Sequence, residues 1–357
     1  MKKRRKPFAI AGQRVAAGSQ ADLLLKVSET YLGDDVSIHL RVIRARRPGP
    51  VLFVTAAIHG DELNGVGVIH DLLFNDSLDL KCGTLILVPV VNVFGFEANE
   101  RYLPDRRDLN RSFPGSANGS LAGRVAHAFF DNVVRQCDYG IDLHTAAIQR
   151  TNYPNVRGKL SDPAIRRIAE SFGAELLISG AGPEGSFRRE ACNAGCPTIC
   201  VEAGEPWKIE PSIVQFGVRG VRNVLIELGM IKGQATYPTY QTRVNRTTWV
   251  RAKVGGILRF HVAPGQIVRA GQEIASNSSL MGTDQDVLIS PIDGIVLGMT
   301  TLPAVKPGEP ICHIGRPNLP IRKIEQALSG ENTRSNVLRR AERHIATSFR
   351  QVAPSSE

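Results

Sequence analysis

His59 and Glu62, in the tetrad His59-Gly60-Asp61-Glu62, are the first residues of this chain whose types and spacing could do chemistry. Three apart in a turn, an imidazole and a carboxylate can aim at one point, which is half of a zinc site. His144, in DLHTA, supplies a third donor of the right kind. A His₂Glu set that leaves a fourth position for water is a usual ligand set of a catalytic zinc, and such an ion brings the pKa of its water to about 7 and polarises a carbonyl. Glu202, in VEAGE, then remains free as general base, taking the proton of the water and passing it to a leaving nitrogen. Each piece alone is weak, because H-x-x-E recurs by chance and a single His or Glu at a strand end is more often a satisfied polar group or a cap. Their convergence on one rim gives the set its weight, since open α/β sheets build their sites outside the carboxyl ends of their strands.

The segment RYLPDRRDLNRSFPG adds Arg101, Asp108, Asn110 and Arg111. An arginine binds a carboxylate through two parallel N–H bonds, and an asparagine beside it offers an amide donor. A second arginine aimed at a scissile carbonyl would stabilise an oxyanion. Arg106 and Arg107 are expected to be solvated. Asp142, two residues before His144, could orient a ligand, but is expected on the other face of its strand.

The elements that must hold these residues read as follows. LLLKVSE and VSIHLRVIRA alternate as strands around a GDD turn, an antiparallel hairpin within residues 7–48. Val51 to Ile58 is a buried parallel strand that runs into the tetrad. Gly65 to Phe74 has helical spacing, and Thr84 to Val91 is a further apolar strand. Val93 to Gly119 reads as a long loop, of the kind that is usually functional when it sits inside a compact domain. Leu121 to Cys137 is an amphipathic helix, Tyr139 to Leu143 a strand, Asp162 to Phe172 a helix with Pro163 in its first turn, Glu175 to Ile178 and Pro197 to Val201 strands, and Pro211 to Leu228 a helix. This alternation predicts an α/β catalytic domain over residues 1–235, with a mostly parallel or mixed sheet flanked by helices. From Thr247 the texture changes to short glycine-punctuated β runs, so residues 245–316 are expected to form a small all-β domain. Residues 317–357 read as a polar, weakly helical tail, with a helix near Ser335 to Phe349.

The net charge of +10 is concentrated at the ends. KKRRK at residues 2–6 carries +5 and residues 317–357 carry +3, which leaves +2 for residues 7–316. A nucleic-acid face needs its charge on the folded part, so no nucleic-acid partner is expected. No apolar stretch approaches ~20 residues and no secretory pattern follows the basic start, so neither a membrane span nor export is expected. The six cysteines form no C-x-x-C pair, which fits free thiols in a reducing cytoplasm.

Taken together, HGDE, DLNRSFPG, DLHTA and VEAGE resemble the succinylglutamate desuccinylase/aspartoacylase family, within the zinc carboxypeptidase-like superfamily, over roughly residues 45–230. The resemblance implies one zinc ion per chain on His59, Glu62 and His144, with Glu202 as the base. It implies that Asn110 and Arg111 bind a substrate carboxylate and that Arg101 polarises the carbonyl. Arg188, in GSFRREA, resembles a further substrate-side arginine, with Arg189 competing for that role. The implied activity is hydrolysis of the amide of a small N-acyl amino acid. A metallocarboxypeptidase acting on a peptide end, or a binding protein on the same fold, is the alternative. The all-β domain is similar to a lipoyl or biotinyl barrel-sandwich domain, but no lysine stands between Glu273 and Asp293 to carry a prosthetic group. It is therefore expected to serve as a cap or as a contact in a homo-oligomer.

Overall fold

Strand side chains alternate between two faces, so a strand buried on both sides reads as a continuous apolar run. Val51–Ala56 and Thr84–Val88 are nearly such runs, Tyr139–His144 is one but for Asp142 and His144, and in the computed structural model, which describes residues 8–74 and 78–329, the three lie side by side in one sheet. The described residues divide into two units, one drawn from Met1–Ile148 and Pro154–Gln241, the other from Gln149–Tyr153 and Thr242–Glu357.

In the first unit the strands run in the order Leu176–Ser179, the part of Arg150–Gly158 from Pro154 onward, Thr198–Gly204, Tyr139–His144, Val51–Ala56, Thr84–Val88, Asp35–Arg44, Ser19–Glu29. The four central strands, Thr198–Gly204 to Thr84–Val88, pair in parallel, and the hairpin adds to them antiparallel. The sheet is mixed, as expected. Phe53, Ile86 and Val88 face one core with Phe129, Phe130 and Phe187. Their strand neighbours Leu52, Val54, Leu85 and Leu87 face a second core with Val68, Ile69, Ile168, Phe172, Val221 and Val224. Helix Leu121–Asn132 thus covers one face, and helices Asn64–Phe74, Pro163–Phe172 and Pro211–Glu227 cover the other. A fully buried Phe or Leu contributes about 1.5–3 kcal/mol, so these two cores dominate the stability of the unit.

Several elements differ from expectation. Strand Thr84–Val88 stops ahead of Val91, and the expected helix to Cys137 gives way to a 3₁₀ turn at Val134–Gln136. The long loop carries a short helix, Val93–Ala98, and a 3₁₀ turn, Leu109–Arg111. Strand Arg150–Gly158 and helix Phe187–Asn193 had no counterpart in the sequence reading.

In the second unit every described pairing is antiparallel. Thr242–Arg251, Pro310–Pro317, Gly294–Thr300 and Ile267–Val268 line up in one layer. Gln285–Ile289, Glu273–Ser278, Gly256–Phe260 and Ala304–Val305 form a four-stranded sheet. Leu258, Val268, Ile274, Leu288, Val296, Ile311 and Ile314 fill the core. Its first strand begins ahead of the expected Thr247, and helix Ile321–Leu328 follows its last. The basic run at residues 2–6 and the helix expected at Ser335 to Phe349 lie outside the described residues. Among the described residues no helix is long and apolar enough to cross a membrane, and all six cysteines are free.

Candidate metal centre

Strand Val51–Ala56 ends at Ala57, a non-glycine residue held at φ 48°, and the chain turns there toward His59. Such a left-handed residue costs on the order of 1–3 kcal/mol and persists where its surroundings over-determine it. The main-chain N–H of Asn92 donates to the Ala57 carbonyl (2.9 Å), which helps fix the turn. Gly60 follows, packed so closely on the Gly95 backbone that a Cβ would fall 1.9 Å from the Gly95 carbonyl carbon. No other residue fits the tetrad at that point.

This turn brings His59 and Glu62 together, and strand Tyr139–His144 brings His144 as its last residue. One donor atom from each of the three lies within 4.8 Å of the others, and all three side chains are buried. His59 Nδ1 lies 2.7 Å from Glu62 Oε1 and His144 Nδ1 lies 2.8 Å from Glu62 Oε2. The main-chain N–H of Thr145 also donates to Glu62 Oε2 (3.0 Å). The outward nitrogens are anchored as well: His59 Nε2 is 3.2 Å from Asp108 Oδ1, and His144 Nε2 is 2.7 Å from Asp142 Oδ2. The Thr55 hydroxyl donates to the other Asp142 oxygen (2.8 Å).

The electrostatics of the metal-free group follow from this geometry. Burial alone would push both imidazoles down. The Asp142 and Glu62 carboxylates outweigh it at His144, which is held well above its usual range, and Glu62 and Asp108 raise His59. Burial would push the Glu62 carboxyl up, but the two imidazoles hold it far below the carboxylate range. Two inward imidazole nitrogens and a carboxylate, with each outward nitrogen on a further carboxylate, form the N/O donor set and outer anchoring that zinc sites use. The residues fit a divalent metal ion, zinc by donor type.

Asp142 corrects an expectation. It is not on the far face of its strand: residues two apart on a strand share a face, so Asp142 and His144 project together. Losing such an outer carboxylate typically weakens metal binding about 10–100-fold. We expect that loss for Asp142→Asn in a competitive zinc titration, with the fold intact; unchanged affinity would remove Asp142 from the site.

Arg101 comes to the same place, its Nη1 donating to Glu62 Oε1 and its Nη2 to Asp108 Oδ2, both at 3.2 Å. Glu202 lies one strand over from His144 and directly beside it in the parallel register, so both side chains project to one face. It stands inside strand Thr198–Gly204 rather than at its end. The Asn110 side-chain oxygen accepts from the Phe187 N–H (2.8 Å) and so ties the loop to the start of helix Phe187–Asn193. Arg111 is exposed, with Nη1 on the Asn110 carbonyl (2.6 Å). Arg188 donates to the Gly180 carbonyl (2.7 Å) and Arg189 to that of Gly182 (3.4 Å); neither contacts the His59–Glu62–His144 group in these bonds. Arg106 and Arg107 are exposed, as expected. Asp108, which the loop offered without a stated role, and Thr55, Asn155 and Arg157, which no motif marked, join the network around these residues. For Asn155 and Arg157 no signal existed without the missed strand.

Residues 48–228 match the succinylglutamate desuccinylase/aspartoacylase catalytic domain. The N-alpha-acetyl-L-2,4-diaminobutyric acid deacetylase of Halomonas elongata is 28% identical over 252 residues, 67% of this chain and 73% of that protein. The crystal structure of a succinylglutamate desuccinylase/aspartoacylase from Rhodobacter sphaeroides superposes with a TM-score of 0.73 at 26% identity, over 84% of this chain and 96% of that one. The ectoine utilization protein EutE (DoeB) of Ruegeria pomeroyi shares the fold, with a TM-score of 0.76 at 24% identity over 87% and 99% of the two chains. The catalytic-domain match spans half of the chain, and the chain belongs to the succinylglutamate desuccinylase/aspartoacylase family.

Proposed function

We propose that this chain is a zinc-dependent amidohydrolase that removes the acyl group from a small N-acyl amino acid. The observation that carries the reading is the buried His59–Glu62–His144 group with Glu202 in register beside His144. His59, Glu62 and His144 would hold one zinc ion per chain, which when bound supplies Lewis acidity to a water and to the scissile carbonyl. Glu202 accepts a proton from the attacking water and delivers it to the leaving amine nitrogen. Arg101, already held on Glu62 and Asp108, places positive charge where the carbonyl oxygen becomes an oxyanion. Asn110 and the exposed Arg111 offer an amide and a fork of N–H donors to a substrate carboxylate. Arg188 is a second candidate for that task.

The name of the Halomonas relative supports an N-acetyl amino acid as substrate, and the resemblance to desuccinylases keeps N-succinyl amides in the same class. The rest of the reading is a cytoplasmic enzyme of small molecules with no nucleic-acid or membrane partner. Its catalytic domain spans residues 1–235, and residues 245–316 form a barrel-sandwich domain of lipoyl or biotinyl type. That domain has no lysine between Glu273 and Asp293 to carry a prosthetic group, which leaves it a role in capping or in self-association.

Hydrolysis of a panel by the zinc-loaded protein tests the proposal. The panel holds N-acetyl, N-succinyl and N-aspartyl amino acids, N-α-acetyl-L-2,4-diaminobutyrate among them, and peptides with free carboxyl ends. Amine release from at least one acyl amino acid, lost on chelation, is expected. Cleavage confined to the peptides would make the chain a carboxypeptidase instead.

A further inference from the structure

Strand Arg150–Gly158 is the neighbour of strand Thr198–Gly204 in the sheet. Asn155 and Arg157, two apart, share a face of it. Asn155 is fully buried and its amide Nδ2 donates to the main-chain carbonyl of Glu202 (3.4 Å). Its side-chain oxygen accepts from Arg157 Nε (3.1 Å). Arg157 Nη1 then reaches Glu202 Oε1 (3.3 Å), and the Cys200 thiol donates to that same oxygen (Sγ to Oε1 3.9 Å). The contacts close a ring that starts at the Glu202 backbone and returns to its carboxylate.

We infer that Arg157, held by Asn155, is the positioning residue of the general base. The inference rests on Glu202 being that base. A glutamate side chain has three rotatable bonds, and a base must meet its proton within hydrogen-bond reach. The Glu202–Arg157 pair is only partly exposed, with 16% and 30% of the two side chains accessible, so the ion pair is shielded from much of the solvent. Guanidinium is suited to the task because its planar fork gives one N–H to Asn155 and another to Glu202 at a fixed angle, which lysine cannot do. The anchor is rigid: Asn155 sits on a strand inside the sheet, and the Glu202 backbone to which it bonds sits on the next one.

Kinetics of the full-length, zinc-loaded protein test this, on whichever panel substrate it turns over. Arg157→Met should lower kcat about 10–100-fold, as loss of an orienting partner or ~1 Å of misplacement does, with KM little changed and zinc content kept. Arg157→Lys should recover part of that loss. In a Glu202→Gln background Arg157→Met should cost nothing further, because the two act as one unit. A crystal structure of Arg157→Met should show the Glu202 carboxylate displaced, a readout that needs no substrate. An undisplaced carboxylate overturns the inference, as does a rise in KM with kcat unchanged, which would make Arg157 a substrate ligand, or a loss of zinc. Full activity in Arg157→Met with an inactive Glu202→Gln overturns the positioning role alone. Full activity in Glu202→Gln overturns the base itself and this inference with it.

Discussion

Glu202→Gln is expected to lower kcat by about 10³-fold, within the usual 10²–10⁴ range for a positioned general base, and to leave zinc content unchanged. The amide keeps the size of the carboxylate and can still accept a hydrogen bond from Arg157, so the local structure has little reason to move. What it loses is the capacity to take a proton. Strand Thr198–Gly204 is held independently of this side chain: Ile199 and Val201 face the helix-covered core, and Thr198, Ile199, Cys200 and Val201 continue the register with strand Tyr139–His144. A kcat within a few-fold of the parent protein, measured with zinc stoichiometry alongside, would exclude Glu202 as base. A fall in kcat accompanied by loss of zinc would make it a ligand.

Periodicity and residue type carried the sequence reading a long way, and its errors have physical reasons. The central strands were legible because burial on both faces makes them apolar, with Asp142, His144 and Glu202 as interruptions only where the candidate site lies. Strand Arg150–Gly158 was not. RTNYPNVRG is polar and contains Pro154, which argues against an interior strand because proline cannot donate to a ladder. Its polarity has a use: Asn155 and Arg157 are spent on Glu202 rather than on a core. Helix Phe187–Asn193, of seven residues, is too short for a periodic signal and follows glycine-rich sequence. At the candidate metal centre, the buried His59–Glu62–His144 group was readable from its chemistry and spacing. The carboxylates behind them were harder, because Asp108 reaches His59 from a loop whose path no pattern predicts. Asp142 was legible, since residues two apart on a strand share a face and it stands two before His144. Arg111 and Arg188 show the opposite case: their motif positions are plain in sequence, while their guanidinium groups rest on nearby carbonyls.

His144→Ala should abolish both zinc binding and hydrolysis. It removes one of three donors and leaves Asp142, 1% exposed, with the Thr55 hydroxyl but without its imidazole partner. A buried carboxylate that loses its partner is costly, and so is a buried polar group left unpaired, on the order of 1–3 kcal/mol. The variant is therefore expected to melt lower as well, which separates it from Asp142→Asn, where zinc still binds but more weakly. Retention of one tightly held zinc ion per chain in His144→Ala would refute the ligand set. The same geometry gives zinc uptake a pH dependence of known sign. In the metal-free protein both imidazoles hold their protons to higher pH than usual, His144 most strongly. A metal ion must displace those protons from the nitrogens that face Glu62, so binding releases protons and affinity falls as pH falls. Calorimetric zinc titrations in two buffers of different ionisation enthalpy should report net proton release near neutral pH, and the release should vanish only above the raised imidazole range. A heat of binding that is the same in both buffers would mean that these imidazoles are already neutral, each with a single N–H for either Glu62 or its outer carboxylate.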